Sequence, residues 1–280
     1  MKTGFYPPTA LTNEQYHSGP GISVSGLKRL QQSPAHYKAG FNGSSQSMFI
    51  GTAIHAAALE PEEFERQYVV ADFKDRRAAG YKAWAAEQTR LILMPHEYEN
   101  VIGMRDALHA HPIVGPMLRG AVCELSCYAN DPITGELCRV RFDMLAADGW
   151  ILDLKKCQDA RPDAAARSIA SYGYHMQAAF YLDVPEWLGN PPEGFAFVFI
   201  EEQPPHGIGF YVLDDSDIER GRMEYRRLLN QYHQCRENDY WPCYDAEPQV
   251  IELPRWKRNE IDFLNNPELC CASAASVCQK

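Results

Sequence analysis

The sequence predicts a mixed α/β fold, in which a central β-sheet is flanked by helices. Three observations predict it. Over roughly the first 110 residues the apolar spacing is mostly helical, and between about 121 and 158 it changes to strand-like alternation. Two turn signals, "DPITGE" and "AADG", divide that stretch into three strand-like runs, read as an antiparallel meander. Helix, two strands and helix then follow.

Taken in order, residues 1–20 form an extended arm rich in Pro, Gly and polar residues. Ser23 or Ser25 caps a helix that buries Leu27, Leu30 and Tyr37 and meets an interruption at Pro34. "SQSMFIGTAIHAAALEP" is a second helix ended by Pro61, with Phe49, Ala53, Ala56 and Ala57 giving a small face for close packing. Residues 62–80 read as irregular and charged. A long helical stretch spans about Tyr81–Ala110, interrupted near Pro95. After the meander, "DAAARSIASYGYHMQAAFYLDVPEWL" is helical with a break at Gly173. "GFAFVFIEEQPPHGIGFYVLD" is two strands joined by a Pro-Gly loop. The next helix is capped by Asp215 or Ser216. One domain, 1–280, is expected: an arm (1–20), a core (21–215), and a C-terminal helix with an irregular tail (216–280).

Composition narrows the functional classes. With 280 residues, 45% hydrophobic and 23% charged, the chain can bury a core without staples. No apolar run approaches the roughly 20 residues of a membrane helix. The beginning, "MKTGFYPPTALTNEQYHSG", lacks a basic region followed by an apolar stretch, so no secretory signal is read. Nine irregularly spaced cysteines then read as reduced thiols of a cytoplasmic protein. The net charge of −10 argues against non-specific nucleic-acid binding by the whole surface. The neighbourhood of the meander departs from that average, with Arg139, Arg141, Lys155, Lys156, Arg161 and Arg167.

The chemistry concentrates in "RVRFDMLAADGWILDLKKCQ". Alternation puts Asp153 and Lys155 on one face of their strand, and an antiparallel hairpin lets Asp143 lie beside Asp153. Two close carboxylates repel unless something neutralises them. Mg²⁺ does so, because it takes oxygen ligands and completes its shell with water and substrate phosphate. A neighbouring lysine then orients water or stabilises charge developing on a phosphate. The plain alternative is a surface hairpin with an Asp–Lys ion pair. His55, among alanines and glycine, is either a core residue or the one functional group of its helix. Glu124 is solvent-facing or part of the site. Gln177 and Tyr181 share a helix face at i and i+4, either as a surface pair or reaching back toward phosphate or Lys155.

Taken together, G-x-x-x-H (Gly51 to His55), E-x-S (Glu124 to Ser126), T-G-x-x-C-x-x-R-x-D (Thr134 to Asp143), D-x-K (Asp153 to Lys155) and Q-x-x-x-Y (Gln177 to Tyr181) resemble the PD-(D/E)XK nuclease superfamily. Within it, the likeness is to the exodeoxyribonuclease VIII nuclease domain and its phage relatives. It runs from about residue 13 to about 215 and includes "YHSGPGISVSGLKRLQQSPAHYKAG". Phe142 stands where the superfamily's name places proline, and Asp153 shortens one ligand arm relative to Glu.

The resemblance implies a PD-(D/E)XK core and a Mg²⁺-dependent exonuclease, with Mn²⁺ as an expected substitute. It implies metal binding by Asp143 and Asp153, with the Leu154 carbonyl, His55 and Glu124 contributing. Lys155 is the implied catalytic lysine, with Gln177 and Tyr181 supporting the site and DNA. It further implies action on double-stranded DNA ends from the 5′ side, leaving 3′ tails for recombination. A ring-shaped homo-oligomer and a single-strand annealing protein as partner belong to the same expectation. Arg139, Arg141, Lys156, Arg161 and Arg167 are the candidate DNA-binding residues. Some relatives hold an iron–sulfur cluster. Here Cys270, Cys271 and Cys278, with Cys235 and Cys243 upstream, do not follow that spacing, and no cluster is expected. Two rivals stand beside this reading: a superfamily nuclease acting as an endonuclease or on single strands, and a non-catalytic phage DNA-binding protein.

Overall fold

A computed structural model of the protein describes residues 1–40, 43 and 45–265. The chain opens with β1 (Gly4–Tyr6), α1 (Asn13–Ser18), α2 (Val24–Gln32), α3 (Pro34–Ala39), α4 (Gln46–Leu59) and α5 (Pro61–Gln67). Next come β2 (Tyr68–Val70), α6 (Tyr81–Ala86), β3 (Leu91–Leu93), α7 (Pro95–Ala110) and α8 (Val114–Leu118). The meander is β4 (Val122–Asn130), β5 (Leu137–Leu145) and β6 (Trp150–Cys157). α9 (Pro162–Tyr172), α10 (Tyr174–Glu186), β7 (Gly194–Glu201), β8 (Ile208–Tyr211) and α11 (Asp215–Glu237) complete this unit.

Six strands form one sheet in the order β1-β4-β5-β6-β7-β8. All neighbours are antiparallel except β6 and β7, which α9 and α10 join by the crossover that parallel strands require. This is the mixed α/β architecture that the sequence predicts. On β7, Phe195, Phe197 and Phe199 face one core layer, with α2, α10 and α11. Val198 and Ile200 face the other, with α4 and α7. Each buried ring or aliphatic chain contributes roughly 1.5–3 kcal/mol relative to exposure.

The alternation is reset at one level of the meander. On β4, Leu125, Cys127 and Ala129 join the first layer, yet Cys123 packs against the second. On β5, Val140 and Phe142 join the first layer and Met144 the second. The register runs through Cys123↔Met144 and Leu125↔Phe142, so Glu124 stands opposite Asp143. Glu124 takes φ 52, a left-handed value that non-glycine residues seldom adopt, and this inverts the pleat. The polar pair thus occupies the crossing point between two apolar layers.

Several expectations change in detail. The arm contains β1, paired with β4, and the capped helix α1. Pro61 opens α5 as its first residue, where its missing N–H costs nothing. Residues read as irregular include α5 and β2, and β3 splits the long helical stretch by pairing in parallel with β2. Leu-Ile-Leu is too short for its period to separate strand from helix. Ser23 caps α2, and Asp214 rather than its neighbours caps α11. Gly173 joins α9 to α10 at φ 61, as its expected break requires. The chain groups into two compact units, Met1–Pro242 and Cys243–Lys280. The described part of the second unit holds α12 (Arg255–Asn265). Among the described residues no helix is long and apolar enough to cross a membrane.

Candidate active site and metal centre

The β5–β6 hairpin pairs at Met144↔Leu152 and Leu145↔Ile151, and the ladder stops there. Past that point the Asp143 side chain takes over. Its Oδ2 accepts the Leu154 N–H at 2.7 Å, so a donor the ladder leaves free is satisfied by the carboxylate. The same bond holds Asp143 against β6.

α4 brings His55 to this place. Its small residues Ala53 and Ala57 are fully buried and let the helix approach the sheet. His55 Nδ1 lies 3.6 Å from Asp143 Oδ1, and Nε2 lies 3.1 Å from the Leu154 carbonyl. Glu124 completes the group from β4. One ligand atom each from His55, Glu124 and Asp143 lie within 4.8 Å of one another. Burial, reinforced by Asp143, pushes the Glu124 carboxyl up to about 7, although Arg141 Nε approaches Glu124 Oε2 at 2.8 Å. Two carboxylates and an imidazole, with the Leu154 carbonyl adjoining, suit a hard divalent cation. The charge of Asp143 adds to burial in raising the Glu124 pKa, and His55 and Arg141 do not offset the two. The residues therefore fit the metal that the sequence implies.

Asp153 lies beside this group with a different set of partners. It is 2% exposed, its Oδ2 pairs with Lys155 Nζ, and Gln177 Nε2 donates to its Oδ1 at 2.5 Å. Burial pushes the Asp153 carboxyl up; Lys155 opposes this and Asp143 adds to it. Burial alone disfavours the Lys155 ammonium, but Asp153 and Asp143 outweigh it and hold its pKa above the usual lysine range. Lys155 Nζ also sits 4.7 Å from the Tyr174 ring centre. Tyr181 packs edge-on against Phe142 at 5.8 Å, and burial raises its hydroxyl pKa. Gln177 thus reaches Asp153, not Lys155.

One cleft of about 520 Å³ is lined by Gly51, His55, Glu124, Asp143, Asp153, Lys155, Gln177 and Tyr181. Widely separated parts of the sequence meet there. Sequence reasoning passed over Lys28 and Tyr174, which line the same cleft. Lys28 Nζ is 5.0 Å from the Tyr174 ring centre, and burial, then Lys155, lower its pKa to about 8. Its position between Leu27 and Arg29 carried no separate signal.

The five candidate DNA-binding residues do not form one basic surface. Arg139 is turned to the arm, where its guanidinium donates to the carbonyls of Tyr16, His17 and Gly19. Arg141 is buried, pairs with Glu124, and donates to the carbonyls of Leu11 at 3.2 Å and Thr12 at 3.3 Å. Backbone carbonyl oxygens of the arm draw these guanidiniums inward. In this structure both guanidiniums are engaged within the chain, Arg139 by the arm and Arg141 by the arm and Glu124. Lys156 pairs with Glu202 at 2.5 Å, while the exposed Arg161 and Arg167 pair with Asp159 and Asp163 at 2.7 and 3.0 Å. Cys270, Cys271 and Cys278 lie outside the described residues.

Residues 23–253 match the family described as "PDDEXK-like domain of unknown function (DUF3799)". No curated protein matches the sequence. A solved structure described as "Putative exonuclease" from Eubacterium rectale aligns with TM-score 0.58 at 13% identity, covering 87% of this chain and 95% of that one. At that identity the likeness speaks for the fold. A structure of SSO0001 aligns with TM-score 0.28 at 16% identity, covering 68% of this chain and 89% of that one, too low a score to indicate a shared fold.

Proposed function

The chain belongs to the PDDEXK-like domain family (DUF3799), and from that premise we propose that it is a Mg²⁺-dependent exodeoxyribonuclease acting on ends of linear double-stranded DNA. The observation that carries the proposal is the meeting of His55, Glu124, Asp143, Asp153, Lys155 and Gln177 in one cleft. The name of the Eubacterium rectale protein supports the exonuclease reading. A direction from the 5′ end, 3′ tails for recombination, a homo-oligomeric ring and an annealing partner follow from the resemblance to exodeoxyribonuclease VIII, and are part of the proposal. Mn²⁺ is expected to replace Mg²⁺.

Asp143, Glu124 and His55, with Asp153 beside them, would hold the metal. Bound there, a divalent cation supplies charge neutralisation at phosphate and acidifies water near it. The chain's own groups do the rest. Lys155 stays protonated between Asp153 and Asp143, positioned to orient the attacking water and to stabilise charge that grows on the phosphate. Gln177 fixes one oxygen of Asp153 and leaves the other to Lys155. Arg141 holds the Glu124 carboxylate in place from the side of the arm. Hydrolysis breaks one P–O bond and adds the elements of water across it.

End-labelled linear duplex and covalently closed circles, each with Mg²⁺ and with EDTA, test this reading. Loss of label from linear DNA in Mg²⁺ alone, with circles intact, is expected. Cleavage of the circles would make the enzyme an endonuclease. Cleavage in EDTA would remove the metal from the mechanism.

A further inference from the structure

The catalytic cleft continues into two recesses of unlike chemistry. At one side it shares Thr52, His55 and Glu124 with a recess of about 360 Å³ next to α5. Carboxylates of Glu14, Glu60, Glu63 and Glu124 line that recess. Its two guanidiniums are already engaged, Arg66 by Glu63 and Arg141 by Glu124. At the other side the cleft shares Tyr174 with a groove of about 760 Å³ between the start of α4 and α9. Neutral donors line this groove, among them Ser47, Gln158, Ser168 and Ser171. Its acids are countered, Glu202 by Lys156 and Asp159 by Arg161.

The groove also presents an aromatic step. Tyr172 closes α9, Tyr174 opens α10, and the left-handed Gly173 between them lets both rings stand at one corner. The ring centres are 5.6 Å apart and tilted by 32°. Tyr174 faces the catalytic lysine, whereas Tyr172 is 63% exposed at the groove wall. Ser168, Ser171 and Tyr172 follow one another at helical spacing along that wall.

We propose that the α9 groove receives the nucleic-acid strand whose phosphate lies in the cleft, with Tyr172 as the platform on which a base stacks. This assignment rests on the nuclease reading above. Stacking suits a groove whose lining cations are paired, Lys156 with Glu202 and Arg167 with Asp163, since every base has a π-face and the contact needs no free charge. Serine and glutamine side chains donate to phosphate oxygens. Next to α5, Glu63 and Glu124 are held by Arg66 and Arg141, but Glu14 and Glu60 add carboxylate charge that disfavours the backbone, so the strand extends from the scissile phosphate toward the α9 groove. That asymmetry is the arrangement an enzyme of strand ends requires.

The test uses the full chain in Ca²⁺ with single-stranded oligonucleotides that carry 2-aminopurine near one end. Binding should quench the parent's probe by stacking. Tyr172→Ala should lose that quenching and bind about tenfold more weakly, and Tyr172→Phe should keep both. Unchanged affinity and quenching in Tyr172→Ala would overturn the assignment. Because Tyr172 is exposed, the substitution leaves the core untouched, and circular dichroism checks this. Hydrolysis of bis(p-nitrophenyl) phosphate by the parent in Mn²⁺ reports the catalytic centre separately. A parent that hydrolyses neither this ester nor DNA overturns the nuclease reading, and the groove assignment with it.

Discussion

Glu124→Gln examines the metal centre through stability, without relying on turnover. Burial, and then Asp143, raise the Glu124 carboxyl from its ordinary 4.5 to about 7, against the opposing effects of His55 and Arg141. The folded chain therefore keeps a proton that the unfolded chain has already released. Stability from this group is complete below about pH 4.5 and is lost as pH rises to about 7. A gap of that width corresponds to on the order of 3 kcal/mol. Asp153 shifts in the same direction and adds to the slope in parent and variant alike. Glutamine does not ionise, so the variant lacks the share due to Glu124. Thermal unfolding in EDTA at pH 5 and pH 8 should show the parent losing roughly 5–10 °C more than the variant. Mg²⁺ binds the deprotonated carboxylate and should restore the parent at pH 8, with a much smaller effect on Glu124→Gln. Parallel pH dependence of the two proteins in EDTA would refute the reasoning.

Lys155→Ala should lower the cleavage rate at least about a hundredfold, because its ammonium acts on charge that appears in the transition state. DNA affinity in Ca²⁺ should change much less; equal losses in binding and rate would reduce Lys155 to a phosphate contact. Asp153→Asn should abolish cleavage and also lower the unfolding temperature, since the buried Lys155 loses its closest counter-charge. Full activity in Mg²⁺ would remove Asp153 from the site. Arg139→Ala should leave the sheet intact but release residues 16–19, seen as faster limited proteolysis of the arm, whereas an unchanged cleavage pattern would show that the guanidinium does not hold it.

The meander, its turns and the place of Asp143, Asp153 and Lys155 were legible because period-two alternation and turn residues are local signals. His55 and Gln177 were candidates by position, but their bonds to Leu154 and Asp153 span 99 and 24 residues, which no window of sequence displays. Glu124 was a candidate through its E-x-S element, but its turn toward Asp143 was not legible, because a left-handed backbone at a glutamate breaks the alternation on which strand reading depends. The partners of the arginines were hidden for a related reason. Arg139 and Arg141 look like an exposed basic stripe until the arm's carbonyl groups are brought to them by folding. β2 and β3 were missed because three-residue strands carry no period of their own.

The link between Arg141 and the arm bears on how the protein is trimmed for expression. The family match begins at residue 23, and a chain cut there keeps every motif residue from Gly51 to Tyr181. It also discards β1 and the carbonyl groups of Leu11 and Thr12, which share Arg141 with Glu124. The remaining guanidinium would have one carboxylate and water in place of a fixed cradle, and the carboxylate would lose a fixed neighbour in turn. Truncation at the edge of recognisable similarity would thus yield a sheet that folds around an ill-positioned ligand. The working boundary of this protein lies at least a dozen residues upstream of the boundary that similarity draws.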